Sequence, residues 1–444
     1  MRVSIIGAGY VGIVTGVCLA EKGHTVTCVE MDAAKVERIR RGEPPIHEEG
    51  LAELLRRHTG TTFGATTSLA DAVNDSDITL IAVGTPFDGK AIDLSYVLRA
   101  ATEIGTVIAK KSKRHTVVVK STVVPGTTDG PVRQALEAAS GKTAGAGFGL
   151  GSNPEFLTEG TAIADFMQPD RIVIGGIDGA TLDVLAELYA GFEGVPVIRT
   201  NNGTAEMIKY ASNSLLAAMI SFSNELADLC SALGGIDAKD VMAGVHESAY
   251  LNTSAGKSRA RAPIASFLEA GCGFGGSCLP KDVSALVAHG KAKGIDMRLL
   301  QSVLDVNRSR PDRVIDSVRG KVASFDGKAV TVLGLAFKPD TDDVRESPAF
   351  PIIDRLLQEG ARVTAYDPVA TEPARKALAG KAVRYADSLA QALQGADVVV
   401  LVTRWREFAA VPELLRNSGS KALLYDGRRM LDKRSYARYD GIGL

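Results

Sequence analysis

The short β-rich run Arg2–Ile6 leads directly into Gly7-Ala8-Gly9-Tyr10-Val11-Gly12. Few sequence features limit a fold so tightly. Tyr10 to Lys22 reads as a helix, and Thr25 to Val29 as a second strand ending at Glu30. A strand, a glycine turn, a helix and a second strand with an acidic end form the opening of a dinucleotide-binding βαβ unit. The glycines allow the tight turn and let backbone approach a pyrophosphate, while the helix N-terminus presents N–H groups with no partner inside the helix. Glu30 is placed to accept from ribose hydroxyls, which favours NAD over NADP, and Lys35 nearby tempers that preference. The pattern predicts an α/β fold with a doubly wound sheet.

Further strands are expected at Ile78–Val83, Thr116–Lys120 and Ile172–Ile174. The first two run into the loops Gly84-Thr85-Pro86 and Ser121-Thr122-Val123, which should face cofactor or substrate because open α/β sheets bind ligands at the carboxyl ends of their strands. Gly203 to about Leu233 reads as one helix, capped by Asn201 or Asn202 and ended by Gly234-Gly235. At about 30 residues it spans roughly 45 Å, more than one small domain needs, which suits a link between domains and a subunit interface. More helix follows to about Asn307. From Lys328 the pattern restarts, with strands at Ala329–Leu335, Arg362–Tyr366 (ending at Asp367), Val398–Val402 and Leu423–Tyr425, and a helix at Pro348–Glu359. This half lacks the glycine fingerprint and is read as a second nucleotide-binding-like sheet that does not hold NAD. The expected organisation is two Rossmann-like domains, 1–200 and 311–444, joined by a central helical dimerisation segment, 201–310.

A chain of 444 residues is too long for one ordinary core. Its 45% hydrophobic and 23% charged content is that of a globular protein, and a net charge of -1 gives no reason to expect nucleic acid or an anionic membrane as partner. The cysteines, Cys18, Cys28, Cys230, Cys272 and Cys278, are odd in number and form no Cys-x-x-Cys pair, which argues against a disulfide framework and a zinc site. The histidines show no metal spacing and no Ser-His arrangement. With no leader ahead of the first strand and no apolar run of membrane-spanning length, a reducing cytoplasm is expected.

Cys278 lies in Gly273-Phe274-Gly275-Gly276-Ser277-Cys278-Leu279-Pro280-Lys281-Asp282. A nicotinamide cofactor alone stops an alcohol oxidation at the carbonyl. A nearby thiol can trap an aldehyde as a thiohemiacetal, again a hydride donor, and the thioester that follows can be hydrolysed. The pairing suggests four-electron oxidation of a primary alcohol to an acid. Cys272 serves as the contrast, a packing residue without polar partners beyond the shared loop. Lys209 and Asn213, one turn apart on the long helix, are a cation and an amide donor suited to an oxyanion. Glu155, between Pro154 and Phe156, is expected to be partly buried with a raised pKa. Lys338, Arg345 and Arg428 follow strands of the second half and could grip a diphosphate. Ser254-Ala255-Gly256-Lys257-Ser258 resembles a phosphate loop, but Leu251 stands where its first glycine is needed.

These runs, with Ser121-Thr122-Val123-Val124-Pro125-Gly126, Asn153-Pro154-Glu155-Phe156 and the stretch from Ala336 to Ser347, resemble the UDP-glucose/GDP-mannose dehydrogenase family over nearly the whole chain. The resemblance implies oxidation of the C6 hydroxymethyl of a nucleotide sugar to a carboxylate with two NAD, in a homodimer or higher homo-oligomer. It implies that Cys278 is the nucleophile, that Lys209 and Asn213 hold the oxyanion, that Asp282 and Thr122 position a water, and that Glu155 assists acid–base steps. Glu159 and Arg345 would line the cofactor cleft beside Gly7, Gly9, Tyr10, Val11, Gly12 and the two loops. Glu155, Phe156, Leu157, Phe274, Gly275, Lys338 and Arg428 would meet the substrate. Pro169-Asp170-Arg171 and the compact Cys278 run are most similar to UDP-glucose enzymes, while Leu279-Pro280 also occurs in the GDP-mannose branch. Glu49 and Glu269 depart from the pattern, and Arg259-Ala260-Arg261-Ala262 does not align cleanly with the family's substrate-binding arginine. An acidic Glu269 near a diphosphate is unfavourable, which leaves GDP-mannose, dTDP-glucose or a UDP-N-acetylhexosamine open. A two-electron hydroxyacid dehydrogenase needs no Cys278 and no second sheet, and a non-catalytic NAD-binding protein would not need Lys209, Asn213, Asp282 and Cys278 together.

Overall fold

The computed structural model describes residues 1–255 and 258–444, and the phosphate-loop-like stretch around Gly256 and Lys257 lies outside that description. The chain forms two compact units, Met1–Ser212 and Asn213–Leu444.

The first unit is built on eight strands: β1 (Arg2–Ile6), β2 (Thr25–Val29), β3 (Phe63–Thr66), β4 (Ile78–Ile81), β5 (Thr116–Val119), β6 (Gly149–Ser152), β7 (Ile172–Gly176) and β8 (Val197–Thr200). Their order is β3-β2-β1-β4-β5-β6-β7-β8. Only β6 against β7 is antiparallel. Every residue of β4 and β5 is buried, as expected for strands covered by helices on both faces. One face packs Ile13, Val14 and Val17 of the helix Tyr10–Glu21, and the other packs Val97, Ala101 and Ile104 of the helix Ser95–Ile108. The order reverses between β1 and β4, so the crevice at their carboxyl ends is the place where this architecture holds ligands. Both β4 and β5 end earlier than their apolar runs suggest. The N–H groups of Lys120 and Ser121 both reach the Ile81 carbonyl, which turns the chain out of the sheet at that crevice.

The helix Asn202–Leu233 is continuous, and Asn201 caps it by accepting from the Thr204 N–H at 2.8 Å. In the second unit it is followed by the helices Ala238–His246, Leu279–Ala292 and Arg298–Val322, and by a hairpin of β9 (Asn252–Ala255) and β10 (Ser258–Arg261). Helix does not stop near Asn307. It runs through Pro311 to Val322 because Val314, Ile315 and Val318 continue its buried face. Proline removes one helical N–H without ending a helix whose packing continues.

The second sheet is parallel throughout, with β11 (Ala329–Leu333), β12 (Arg362–Tyr366), β13 (Val383–Tyr385), β14 (Val398–Leu401), β15 (Leu423–Asp426) and β16 (Tyr439–Gly441) in the order β13-β12-β11-β14-β15-β16. It repeats the switch point of the first sheet but not its chemistry. Asp367 at the end of β12 is the counterpart of Glu30. Its carboxylate is buried and accepts from the Leu335, Ala336 and Ala370 N–H groups and from the Trp405 indole. An acid held by these donors and by the Val369 N–H is poorly placed to take a ribose.

Candidate active site

The glycine fingerprint is geometrically obligatory at two positions. Gly7 has φ +102°, and a Cβ there would lie 2.7 Å from the Ala82 carbonyl oxygen. A Cβ on Gly12 would lie 1.9 Å from the Gly7 carbonyl oxygen, which neither backbone can relieve. Around Gly9, by contrast, a Cβ meets no atom within 4 Å, so the turn is open where a pyrophosphate would approach the helix N-terminus. Gly7, Gly9, Glu30, Lys35 and Gly84 line one cavity of about 310 Å³. Glu30 accepts from Lys35 Nζ at 3.0 Å and from the Met31 N–H at 2.9 Å. Burial pushes its pKa up, but Lys35 and the backbone donors outweigh burial and hold it below the usual carboxylate range. A tight turn, a helix N-terminus open at Gly9 and an ionised acid at the end of β2 together fit a dinucleotide.

Other residues named for the cofactor shape this cradle from behind. The Tyr10 hydroxyl is bonded to Glu48 and accepts from the Gly160 N–H at 3.0 Å, so its ring faces the protein. Val11 packs against the core. The Thr85 hydroxyl donates to the Thr122 carbonyl at 2.8 Å and the Ser121 hydroxyl to the Val83 carbonyl at 2.7 Å, tying the two strand-end loops together. The Pro86 carbonyl accepts from the Asp93 N–H. Glu48 carries no recognisable motif. It is buried and accepts from the Gly160 and Ala162 N–H groups at 2.7 Å each, which fixes the loop that bears Glu155 and Glu159.

Glu155 and Lys209 form an ion pair at 3.0 Å, with side chains only 8% and 4% exposed. The Phe156 ring lies 4.1 Å from the Arg171 guanidinium and 5.5 Å from Lys209 Nζ. Leu157 donates its N–H to Glu155 at 2.6 Å. The expected raised pKa of Glu155 is corrected here. Burial does push it up, but Lys209, the Leu157 N–H and Lys120 reverse the effect and hold the carboxyl below its ordinary range. Glu155 is therefore suited to accept a proton, not to donate one.

The second unit holds the thiol. Cys278 is partly exposed at the N-cap of the helix Leu279–Ala292, with Ser277 Oγ 3.6 Å from its sulfur. Asp282 lies one turn on, 1% exposed, and its two oxygens accept from Asn213 Nδ2 and Lys281 Nζ at 2.6 Å each. The sequence had paired Asp282 with a water; the structure adds Lys281 as its charge partner.

The glycines before Cys278 are held by the loop that follows β11. A Cβ on Gly275 would lie 2.1 Å from the Glu346 carbonyl oxygen, and the Gly276 N–H donates to the Arg345 carbonyl at 2.9 Å. Phe274, Gly275, Lys338 and Arg428 line one cavity of about 390 Å³, together with Glu269 and Arg404. The guanidinium of Arg345 instead forks the Asp343 carboxylate and is not among the residues lining that cavity. Glu269 pairs with Arg404 at 2.6 Å, so the acid that looked unfavourable beside a diphosphate has its own cation. Nothing in either local sequence marks that pair, because the partners are far apart along the chain.

A Rossmann-type sheet with a dinucleotide cradle in the first unit and, in the second, a parallel Rossmann-like sheet with a cavity of about 390 Å³ and a partly exposed cysteine at a helix N-terminus define an NAD-dependent dehydrogenase that also carries a thiol. Profiles of the UDP-glucose/GDP-mannose dehydrogenase family match along the chain: the NAD binding domain at residues 1–193, the central domain at 203–309 and the UDP binding domain at 331–433. The chain is 43% identical to UDP-glucose 6-dehydrogenase AglM of Haloferax volcanii, with 100% of each covered. It is 38% identical to GDP-mannose 6-dehydrogenase of Pseudomonas syringae pv. syringae over 93% of each. A solved UDP-glucose dehydrogenase from Pyrobaculum islandicum superimposes with a TM-score of 0.90 at 38% identity, covering 99% of this chain and 97% of that one. The chain belongs to the UDP-glucose/GDP-mannose dehydrogenase family, and NAD is its cofactor.

Proposed function

We propose that this protein oxidises the C6 hydroxymethyl of UDP-glucose to the carboxylate, in the cytoplasm and as a homodimer at minimum. When bound, NAD accepts one hydride in each of two successive oxidations. In the first, the hydroxyl proton passes to a base, for which ionised Glu155, acting with Lys209, is suited. The Cys278 thiol gives up its proton to solvent as its sulfur adds to the aldehyde carbon, and the new alkoxide is held by the Lys209 ammonium and the Asn213 amide. Loss of the second hydride leaves a thioester on Cys278. Water, positioned by Asp282 with Thr122, adds to it, and the C–S bond breaks to return the thiol and release the acid. Lys338 and Arg428 hold the diphosphate, with Arg404 neutralising Glu269 beside it.

The observation that carries this reading is the cysteine at a helix N-terminus with a buried, doubly bonded aspartate one turn behind it. A two-electron dehydrogenase has no use for that arrangement. The dimer rests on the long helix, where Leu215, Phe222 and Leu229 recur every seventh residue and are each about half exposed. The test is stoichiometry on a panel of limiting UDP-glucose, GDP-mannose, dTDP-glucose and UDP-N-acetylhexosamines. Two NADH per UDP-glucose supports the proposal. One NADH with aldehyde accumulating removes the four-electron mechanism, and preference for another sugar nucleotide removes the substrate assignment.

A further inference from the structure

Lys120 is a buried cation that the mechanism above leaves without a role. It follows β5 and is only 3% exposed. Its Nζ donates to Asn153 Oδ1 at 3.0 Å and to the Asn153 carbonyl at 3.3 Å. Asn153 is itself fixed, with its amide donating to the Val173 carbonyl at 2.8 Å and its Oδ1 accepting from the Tyr189 hydroxyl at 2.5 Å. The ammonium is thus bonded to neutral acceptors only, although Glu155 and Lys209 both act on it electrostatically. All three side chains, two lysines and one carboxylate, are buried, a charge count that a structural clamp does not require.

We propose that Lys120 is a positioning residue for the oxidation, the third member of the Glu155–Lys209 charge system, whose ammonium sets how much positive charge Lys209 presents to the reacting oxygen. The proposal rests on Lys209 as the oxyanion holder. With Lys120 charged, the trio carries one net positive charge. With Lys120 neutral, Glu155 alone faces Lys209 and cancels it. Glu155, whose pKa lies below the ordinary carboxylate range, stays ionised either way, so the lost charge acts through Lys209 and opposes the reaction. Burial, chiefly, and Lys209 lower the Lys120 pKa while Glu155 raises it, for a result of about 8. The groups facing this system are Glu155, Lys209 and, through Asn153, the Tyr189 phenol, whose pKa burial pushes up and out of the working range.

The test is kcat from about pH 6.5 to about pH 10 for the wild type, Lys120→Arg and Lys120→Met, after NADH stoichiometry has identified the accepted sugar nucleotide. If UDP-glucose is not that substrate, the earlier reading falls and the profile is measured with the one that is. The wild-type kcat is expected to fall through an apparent pKa near 8. Lys120→Arg, which does not titrate in this range, keeps neutral-pH kcat within about threefold and loses the alkaline limb. Lys120→Met loses about tenfold in kcat at pH 7 with an unchanged KM for the sugar nucleotide. A flat wild-type profile, or a Lys120→Arg profile that superimposes on the wild type, overturns the proposal. If the Lys120 variants do not fold, Asn153→Asp decides: a carboxylate against Lys120 moves the limb upward, and a limb that stays in place overturns it.

Discussion

Cys272 and Cys278 share one loop, yet their surroundings separate them. Cys272 is 1% exposed, its thiol donates to the Gly427 carbonyl at 3.5 Å, and burial pushes its pKa up. Cys278 stands at a helix start with solvent access. Cys278→Ser is expected to abolish release of the second NADH, because serine is a poor nucleophile without a base. Cys272→Ser should retain two NADH per sugar. Intact-mass analysis alongside NADH traces checks this, and a normal Cys278 variant with a dead Cys272 variant would mean that the wrong cysteine is assigned. This contrast was legible in sequence because the flanking Lys281 and Asp282 are local. The sign of the Glu155 pKa was not. Pro154 and Phe156 correctly implied burial, but the ion pair that outweighs burial comes from Lys209, on a distant helix.

Among the elements, the turn after β1 is the most constrained. Gly12→Ala would drive a methyl group into the Gly7 carbonyl and shift the helix N-terminus, so NAD binding should weaken by at least about tenfold, roughly 1.4 kcal/mol, as read by calorimetric titration. Unchanged affinity would show that the turn is not the pyrophosphate site. A second device lies at the start of the helix Ala238–His246. Asp237 caps it through the Lys239 N–H and pairs with Arg429 and Lys433 at 2.8 Å each. Those partners, working against burial, lower its pKa from 3.8 to about 2. A depressed carboxyl stabilises the fold fully above its unfolded value and loses that contribution as pH falls through the folded one, so the window is about pH 4 down to about pH 2. Asp237→Ala should cost about 3 kcal/mol at pH 7 by leaving Arg429 buried without its partner. Thermal melting at pH 7 checks this, and an unshifted melt would count against it. Local periodicity made the helices and strands readable, whereas where strands end at the crevice, and how far the helix past Asn307 continues, depended on packing partners that one segment does not encode.

At the scale of the whole molecule, the proposed dimer would cover the apolar stripe Leu215, Phe222 and Leu229, each about half exposed in the single chain. Phe222→Glu is expected to shift the light-scattering mass from a multiple of 46.6 kDa to a single chain and to lower turnover with it. An active wild-type monomer would remove the claim. The residues proposed for catalysis divide between two units, with the cofactor cradle, Glu155 and Lys209 in 1–212 and Cys278, Asn213 and Asp282 in 213–444. Within the second of these, the closeness of Gly275 to the Glu346 carbonyl makes two separate stretches of sequence heritable only together. A recombination crossover anywhere before residue 213 leaves that fit untouched, so cofactor halves can be exchanged between lineages. A crossover between residues 276 and 337 joins a glycine loop to a partner loop that never shaped it, and such chimaeras should be recovered far less often.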